Sequence, residues 1–526
     1  MSQSPTSRPS VAVIGGGFSG IAAAIKAKQQ GIIDLTLFEQ SPRIGGTWWD
    51  SQYPGAEVDT PSILYSFSFA PRRWSRTHVA RAELLDYLED VATEYGLRSH
   101  LRLGHAVESV EWHEDRHGYQ ITTDDGTVSF ANVVVSAIGF LNQPRYPDWP
   151  GLKSFRGPVL HTSRWNPELE LEGKRVAVVG TGSTAVQLVP AIADIAKEVL
   201  VFQREPGWIL PKAVRPFAPH ESAALGSPLA QRIARTLMLA RREKAQYRNS
   251  AWRPGTKANA ASERAARSYI KKVFADRPDL AELVTPAYSF GGKRPVLNDD
   301  FYPALLRDDV RLVPRAVTKV SETGVVDSTG TEYDADILVL STGFRTDFMP
   351  NFKVTGRNGR TLADIWQGEP QALLGLLIEN LPNFFMMYGP NTNGGSIITN
   401  IEAQATYVAA ALRHLSRGAA SIEVRPSALW IFNRILQRRL AGASFETANN
   451  YYKSASGRII SQWSDGAMAY ALATKLWRRP AWRVRRLPDQ NPGPIASLEQ
   501  GLRGARVLND VDTGSVWAGE AAKEDF

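Results

Sequence analysis

Two glycine-rich turns constrain the fold of this chain more than any other feature. Each follows a short β-branched run and precedes an apolar segment of helical propensity. The turns are Gly15-x-Gly17-x-x-Gly20 and Gly180-x-Gly182-x-x-Ala185. Gly15 lies 24 positions before Glu39, and Gly180 lies 24 positions before Arg204, so both units share one register. A strand, a tight turn, a helix and a second strand at this spacing predict an α/β fold with two Rossmann-like dinucleotide-binding domains.

The first turn suits the pyrophosphate of an adenine dinucleotide. Glycine has no Cβ atom, so the backbone turns tightly and approaches phosphate, while the helix N-terminus adds free N–H groups and its dipole. Glu39 ends the next strand, 19 residues beyond Gly20, where its carboxylate can accept hydrogen bonds from a ribose. The expected cofactor contacts of this unit are Gly15, Gly17, Phe18, Ser19, Gly20, Glu39 and Gln40.

The second turn differs at the end of its next strand, where Arg204 stands in place of an acid. A guanidinium suits the 2′-phosphate of NADPH, which a carboxylate would repel, so NADPH is favoured over NADH. Glu205 follows directly and would weaken that preference, and a plain surface cation is the alternative for Arg204. The expected contacts of this unit are Gly180, Thr181, Gly182, Ser183, Thr184, Ala185 and Arg204.

The chain of 526 residues contains no cysteine. Disulfides, thiolate metal sites, a cysteine nucleophile and a dithiol redox centre are therefore excluded. Electrons that pass from NADPH to a flavin must then leave for another acceptor, and oxygen is the obvious one. His105, His113 and His117 have no Glu or His partners at metal-ligand spacing on one helix face, so no metal is predicted.

Charge and hydropathy narrow the range of partners. The net charge is +8, but the basic residues are scattered among acids, so no nucleic-acid partner is expected. No apolar run reaches the roughly 18 residues that a membrane span needs, which predicts a cytoplasmic protein with no integral membrane segment. We expect a monomer or a weak oligomer. Lys475–Arg486 interleaves Trp477 and Trp482 with basic residues, where a solvated rim is favoured over a membrane-surface or nucleic-acid patch.

The segments between and after the two turns differ in composition. Arg43–Phe69 has no sustained period and is expected to be a long ordered loop with a function. Ser222–Leu283 has helical spacing. The predicted segments are 1–143 and 371–490 for the first nucleotide-binding domain, 150–212 and 292–370 for the NADP-binding domain inserted into it, 213–291 for a helical insertion and 491–526 for a C-terminal tail.

Residues 155–166 form a fingerprint between the two turns. Their sequence, Phe-Arg-Gly-Pro-Val-Leu-His-Thr-Ser-Arg-Trp-Asn, resembles the FxGxxxHxxxW(P/D) motif of type I Baeyer–Villiger monooxygenases and departs from it only at Asn166. Flavin-containing heteroatom monooxygenases are similar but usually carry Phe or Tyr at the position of Trp165. The resemblance favours the Baeyer–Villiger branch and implies a structural role for His161 rather than that of a general base.

Further segments between Val11 and Tyr470 are similar to the same family. They are residues 45–49, 53–56, 59, 65–69, 201–204, 292–295, 341–344 and 388–391. The resemblance implies a flavin-dependent enzyme that uses FAD, NADPH and O2, and it implies that the first nucleotide-binding domain is the FAD-binding domain. Through a C4a-peroxyflavin it would insert one oxygen atom next to the carbonyl of a small-molecule ketone, giving an ester or lactone. The alternatives are an N- or S-oxygenase of soft heteroatoms and an NADPH oxidase without productive oxygenation.

The resemblance also implies roles for single residues. Arg294 would lie over the flavin and stabilise the peroxide anion, Asp59 would orient Arg294 through an ion pair, and Lys293 would be a second contact to the 2′-phosphate. A guanidinium suits this task because it keeps its proton even in a dry pocket. Further cofactor contacts are expected at Gly46, Thr47, Trp48, Trp49, Tyr65 and Val107. Tyr451 is predicted to be a packing aromatic.

Overall fold

The chain forms many short strands and helices, and the computed structural model describes residues 8–244 and 251–486. The strands are Val11–Ile14 (β1), Leu35–Glu39 (β2), Leu101–Leu103 (β3), Val107–His113 (β4), Gly118–Thr123 (β5), Val128–Ala131 (β6), Val133–Ser136 (β7), Val159–His161 (β8), Arg175–Val179 (β9), Glu198–Phe202 (β10), Ile209–Leu210 (β11), Val296–Leu297 (β12), Val310–Val313 (β13), Val317–Val320 (β14), Gly324–Asp327 (β15), Glu332–Asp334 (β16), Ile337–Leu340 (β17), Lys353–Thr355 (β18), Phe384–Met386 (β19), Ala419–Val424 (β20) and Trp482–Arg486 (β21). The helices are Phe18–Gln29 (α1), Thr47–Asp50 (α2), Arg81–Glu94 (α3), Ser183–Ala193 (α4), Pro219–Ala224 (α5), Pro228–Glu243 (α6), Lys257–Val273 (α7), Pro278–Leu283 (α8), Phe301–Ala304 (α9), Leu362–Trp366 (α10), Ile397–Leu415 (α11), Pro426–Leu440 (α12), Ala467–Leu476 (α13) and Arg478–Ala481 (α14). The predicted tail, 491–526, lies outside the described residues.

The first glycine-rich turn belongs to a five-stranded parallel sheet with the strand order β19-β7-β1-β2-β3. Val13 in β1 lies beside Leu37 and Val135 in the flanking strands, and all three side chains are buried. The three strands β1, β7 and β19 are almost entirely apolar and fully buried, as in parallel sheets whose two faces are both covered. The predicted β1, turn, helix and β2 are present, and α1 begins at Phe18, within the glycine-rich motif.

The second glycine-rich turn belongs to a second five-stranded parallel sheet, with the order β13-β10-β9-β17-β8. Val178 in β9 lies beside Val201 and Val339, and all three are buried. Helix α4 begins at Ser183, at the same place in this unit as α1 in the first. The predicted α/β fold with two Rossmann-like units is confirmed.

One strand pairing differs from the predicted segmentation. Strands β4, β5 and β6 form an antiparallel meander, and β18 joins β4 in parallel. Residues 353–355 fall inside the segment 292–370 predicted for the second domain, yet they pair with a strand of the first. A three-residue strand carries too little pattern to be assigned from sequence. The chain thus returns to the first half before residue 371, while the other boundaries stay predictions.

The segment 213–291, predicted as a helical insertion, contains α5, α6, α7 and α8 among its described residues. Ser227 and Thr256 cap α6 and α7, since their hydroxyl groups accept hydrogen bonds from the N–H groups of Ala230 and Asn259. Strands β11 and β12 flank the segment and pair with each other in parallel. The helical segment therefore leaves and rejoins the fold at neighbouring positions.

The C-terminal stretch has buried or half-buried aromatic side chains, one half-buried arginine, Arg478, over the Tyr407 ring, and a final strand that is exposed beyond Trp482. Trp482 is buried and lies edge-on against Tyr407 and His414, and Trp477 packs against Phe432. The side chains that follow Trp482 in β21 are exposed. None of the helices in the described part of the chain is long and apolar enough to cross a bilayer.

Candidate active site

The first turn depends on its glycines for two different reasons. Gly15 has a φ of +107°, and a Cβ atom there would lie 2.7 Å from the carbonyl oxygen of Ala137. A Cβ atom on Gly20 would lie 1.8 Å from the carbonyl oxygen of Gly15. Gly17 is not crowded in this way, because the nearest atom to a Cβ added there would be the Cα atom of Gly46, at 3.5 Å. The outer glycines are thus required for packing, and the middle one leaves an open face that fits a pyrophosphate.

The N-terminus of α1 is available to a ligand. No side chain caps it, so the first N–H groups of the helix, those of Phe18, Ser19 and Gly20, have no side-chain acceptor. Glu39 lies beside the turn, where its carboxylate accepts hydrogen bonds from the N–H groups of Gly16 at 2.6 Å and Ser41 at 2.8 Å. A carboxylate can accept further bonds, so Glu39 holds the turn and still fits a ribose.

The other predicted contacts of the first unit fall into two places. Gln40 is exposed just after β2 and accepts a hydrogen bond from Asn351 at 3.3 Å. Val107 is buried at the start of β4, close to the end of β2, because the N–H group of nearby His105 donates to the carbonyl oxygen of Glu39 at 3.1 Å. Both residues therefore lie around Glu39.

The predicted loop after Glu39 contains one short helix, α2, which the sequence analysis missed. Gly46 precedes it with a φ of +53°, and Thr47, Trp48 and Trp49 open it. The indole N–H group of Trp48 donates to the hydroxyl group of Tyr65 at 3.2 Å, and the Tyr65 ring lies edge-on to Phe18 at 5.3 Å. Burial raises the pKa of Tyr65 to about 12, so its hydroxyl group stays protonated. These aromatic side chains form a wall beside the start of α1.

The second turn has the same geometry and is more open. Gly180 has a φ of +109°, and a Cβ atom there would lie 2.6 Å from the carbonyl oxygen of Ser341. A Cβ atom on Gly182 would meet no atom within 4 Å. Ala185 is buried, whereas Gly182 and Ser183 are exposed, and no side chain caps α4. Thr181 and Thr184 lie half-buried on either side of the exposed pair. This turn thus presents free N–H groups to an open face.

The predicted phosphate contacts lie together, but one of them is already paired. Arg204 is exposed two residues after the end of β10. Lys293 forms an ion pair with Glu205, and its ammonium group lies 5.4 Å from the centre of the Tyr288 ring. The carboxylate that follows Arg204 in sequence therefore holds the second predicted cation.

The predicted ion pair between Asp59 and Arg294 is present and joins residues 235 positions apart. Burial favours a raised pKa for Asp59, but the charge and hydrogen bond of Arg294 outweigh it and hold that pKa below its ordinary value. The charge of Asp59 in turn raises the pKa of Arg294, against the effect of burial. Tyr388, Tyr451 and Tyr452 act on Arg294 in the same direction. Arg294 is thus a permanent cation among aromatic side chains.

A second charged layer lies behind this pair. The ammonium group of Lys212 is fully buried and pairs with Glu57, whose other carboxylate oxygen lies 3.2 Å from Arg76. Burial lowers the pKa of Lys212, and Glu57 opposes that shift. Burial also lowers the pKa of His78 to about 4, and Lys212 contributes to the shift. The sequence analysis missed these residues, because they lie outside every motif and only the fold brings them together.

The loop of the first half packs directly on the helix of the second nucleotide turn. The hydroxyl group of Tyr53 donates to the side-chain oxygen of Gln187 at 2.8 Å, and Gln187 donates to the carbonyl oxygen of Glu57 at 2.9 Å. Gly55 allows this contact, because a Cβ atom there would lie 2.5 Å from the carbonyl oxygen of Gln187. The two nucleotide turns are therefore connected through residues 53–57.

The fingerprint histidine, His161, is buried and bonded on both ring nitrogens. Its Nε2 lies 3.0 Å from the carbonyl oxygen of Gly343, and its Nδ1 accepts from the N–H group of Ser163 at 3.2 Å. Burial lowers the pKa of His161, so the ring stays neutral. This arrangement ties the end of β8 to the segment after β17, as expected for a structural residue.

One histidine has partners that the sequence analysis did not find. His105, Asp124 and Asp125 bring ligand atoms within 4.8 Å of one another at the surface. The search for partners on one helix face could not detect them, because His105 precedes β4 and the aspartates follow β5, and only the pairing of these strands brings them together. Both aspartates already accept backbone hydrogen bonds, Asp124 from Ala106 and Asp125 from Thr127. These are the bonds of a turn.

Comparison with known proteins agrees with this geometry. Residues 12–218 match the family model described as pyridine nucleotide-disulphide oxidoreductase. Because the chain has no cysteine, this match concerns the nucleotide-binding fold and not a disulfide. A Baeyer–Villiger monooxygenase of Streptomyces coelicolor is 37% identical over 514 residues, which cover 96% of each chain.

Solved structures are similar over most of the chain. An oxidised steroid monooxygenase bound to NADP has a TM-score of 0.81 at 29% identity, covering 91% of this chain and 100% of that one. The closed structure of cyclohexanone monooxygenase has a TM-score of 0.82 at 27% identity, covering 91% and 99%. Two open glycine turns, a permanent cation among aromatics and these similarities agree. The chain belongs to the Baeyer–Villiger monooxygenases, which are flavoenzymes that use FAD, NADPH and O2.

Proposed function

We propose that Asp59 and Arg294 are the catalytic pair of this enzyme and that its substrate is an apolar ketone. FAD, when bound, takes two electrons from NADPH and delivers one oxygen atom of O2 to the substrate. That atom enters the bond between the carbonyl carbon and its neighbour, which gives an ester or lactone, and the second oxygen atom leaves as water. The Arg294–Asp59 ion pair is the observation that carries this proposal.

The residues around the first turn hold FAD in this proposal. The open face at Gly17 receives the pyrophosphate, and the first N–H groups of α1 donate to it. Glu39 accepts hydrogen bonds from the ribose, while Trp48 and Tyr65 line the cofactor. The second turn and Gly182 receive the pyrophosphate of NADPH, and Arg204 and Lys293 contact its 2′-phosphate.

Arg294 stabilises the negative charge that develops on oxygen during insertion. A guanidinium with its pKa raised by Asp59 does not give its proton to a basic oxygen. Asp59 fixes the orientation of that cation, so little reorganisation is needed when the charge develops. A heteroatom oxygenase would not need such a cation, which favours ketone oxygenation over the N- or S-oxygenase alternative.

Aromatic side chains beside Arg294 favour an apolar substrate. The ring of Phe140 stacks on Phe348 with centroids 5.1 Å apart, and Tyr388 and Tyr451 lie 5.8 and 6.5 Å from Phe140. Tyr388 and Tyr451 also act on Arg294. A cation beside an aromatic wall suits a carbonyl group on an apolar skeleton.

The test compares Arg294→Ala and Asp59→Ala with the parent enzyme. Loss of one preorganised electrostatic contact typically costs about 10²–10³ in rate, so ester formation should fall by that factor in Arg294→Ala. NADPH should still reduce the flavin, because the second turn is intact, and oxygen should then appear as hydrogen peroxide. Asp59→Ala should act in the same direction but less strongly, because the cation remains. Ester, peroxide and flavin reduction are measured in parallel.

Arg277→Ala is the matched control, since Arg277 forms an exposed ion pair with Asp279 outside every segment that we assign to the site. This control should behave like the parent enzyme. Full ketone oxygenation in Arg294→Ala would contradict the assigned role, and loss of flavin from that variant would make Arg294 a structural residue. A cytoplasmic location and a monomeric or weakly oligomeric state remain predictions.

A further inference from the structure

Helix α6 buries two polar side chains and exposes a stripe of three large apolar ones. The buried side chains are Gln231, Arg235 and Leu239. On the opposite face Leu229, Ile233 and Leu237 are 68%, 53% and 54% exposed. These three residues are four positions apart, so they form one continuous stripe along the helix. A surface helix normally directs such a stripe towards the core.

Arg235 fixes the helix in this orientation. Its guanidinium group donates to the carbonyl oxygens of Ile63 at 2.9 Å, Leu64 at 3.1 Å and Ser66 at 2.6 Å, and to the hydroxyl group of Thr399 at 3.2 Å. Rotation of α6 to hide its apolar stripe would leave this buried cation without partners, which is costly. The outward stripe is therefore a stable property of the fold.

Helix α13 repeats the pattern next to α6. Met468, Leu472 and Leu476 are exposed at intervals of four residues, whereas Tyr470 and Thr474 are buried. The two helices meet at their ends, because the carboxylate of Glu243 at the end of α6 accepts a hydrogen bond from the N–H group of Met468 at 2.7 Å. The two stripes start from this junction, and we call them together the apolar stripes.

The exposed charged residues on or just after the two helices that carry the apolar stripes are all basic. They are Arg232, Arg241, Lys244, Lys475 and Arg479. Residues 228–244 and 467–479 are all described, and none of their exposed side chains is acidic. Leu, Ile and Met side chains flanked by Lys and Arg are the pattern of a helix that lies in the plane of an anionic membrane surface. A second copy of this chain would bring the same positive charge to the contact, which disfavours self-association here.

We propose that the apolar stripes and their basic flanks dock this enzyme on an anionic lipid surface. The leucine, isoleucine and methionine side chains enter the boundary between headgroups and acyl chains, and the cations contact lipid phosphates. This is peripheral attachment, in which the two helices lie on the membrane. It stands independently of the catalytic roles assigned above.

Docking would bring the loop 43–69, which we assign to FAD, close to the bilayer. The inner face of α6 holds Ile63, Leu64 and Ser66, which flank Tyr65 in the loop assigned to FAD. Arg242, near the end of the same helix, contributes to the low pKa of Asp59. An apolar substrate dissolved in lipid would thus reach the enzyme on the side where α6 covers the loop.

The test is flotation of the full-length flavoprotein with vesicles of phosphatidylcholine alone or mixed with phosphatidylglycerol. We expect binding to the mixed vesicles, little binding to phosphatidylcholine alone, and a loss of binding at high salt. The double variant Ile233→Ser with Leu472→Ser should lose membrane binding and keep its flavin, since both side chains are exposed. Ile33→Ser is the matched control, an exposed isoleucine outside both helices, and it should bind like the parent.

Charge variants give an independent measurement that does not alter the apolar stripes. Arg232→Gln and Lys475→Gln should each lower partitioning into mixed vesicles by about fivefold, the effect of one basic residue near an anionic surface. Absence of binding to the mixed vesicles would overturn the proposal, as would equal binding by the Ile233→Ser, Leu472→Ser double variant. A dimer in solution that this double variant dissociates would also overturn it, because the face would then be a contact between copies.

Discussion

The ion pair between Lys293 and Glu205 predicts that one substitution improves the use of NADPH. Glu205 holds the cation that we assign to the 2′-phosphate, and its own charge repels that phosphate. Glu205→Gln removes both effects and preserves the size of the side chain. The side chains of Lys293 and Glu205 are 24% and 39% exposed, so their interaction is worth at most about 1 kcal/mol. The KM for NADPH should therefore fall by up to about fivefold.

NADH provides the internal comparison, because it lacks the 2′-phosphate. Its KM should not change in Glu205→Gln, so the ratio of kcat/KM for NADPH to that for NADH should rise. Rates of flavin reduction at several concentrations of each cofactor give both constants. Glu332→Gln, an exposed glutamate of the same half, is the matched control and should leave the ratio unchanged.

A double-mutant cycle tests whether Glu205 acts through Lys293. If it does, Glu205→Gln should have a smaller effect when Lys293 is already Gln, because no cation remains to be released. Weaker NADPH binding in Glu205→Gln, or an equal gain for NADH, would refute the reasoning.

The two glycine turns and one buried histidine give further predictions. Gly182→Ala should keep its flavin yet raise the KM for NADPH, because the new Cβ atom meets no protein atom within 4 Å and would occupy the cofactor face. Gly20→Ala should lose flavin, measured by absorbance, because its Cβ atom would lie 1.8 Å from the carbonyl oxygen of Gly15. The pKa of His78 falls from 6.5 to about 4 on folding, so the unfolded chain takes up a proton more readily than the folded one. Protonation of His78 in the unfolded chain should therefore lower the free energy of unfolding by about 2 kcal/mol between about pH 7 and about pH 5. Urea unfolding at several pH values measures this change, and His78→Gln should remove it.

The parts of the fold that depend on local pattern could be predicted from the sequence. The unit from Val11 to Glu39 and the unit from Arg175 to Phe202 were predicted, because β-branched runs, glycine spacing and helical propensity all lie within about thirty residues. The helix α2 and the strand β18 were missed, because three or four residues show no measurable period. Their structure depends on tertiary contacts.

The candidate site shows the same division. Gly15 and Gly180 could be identified, because only glycine fits their positive φ angles and their close approach to a neighbouring carbonyl oxygen. The partner of Lys293 could not be identified from the sequence. Glu205 lies 88 positions away and contacts Lys293 only in the folded chain. Lys212 was overlooked for a related reason, because a lysine in a loop is normally exposed, and here Glu57 compensates for its burial.

The strand order of the first sheet has a consequence for protein synthesis. Its outermost strand, β19, pairs with β7 but follows it only after the whole second nucleotide unit and the helical segment. While the ribosome makes those parts, β7 remains an unpaired edge, which is prone to wrong pairing. The first sheet is complete only once Met386 has left the ribosome. We therefore expect that stable FAD loading follows synthesis of the NADPH half, and that a nascent chain halted before β19 depends on chaperones.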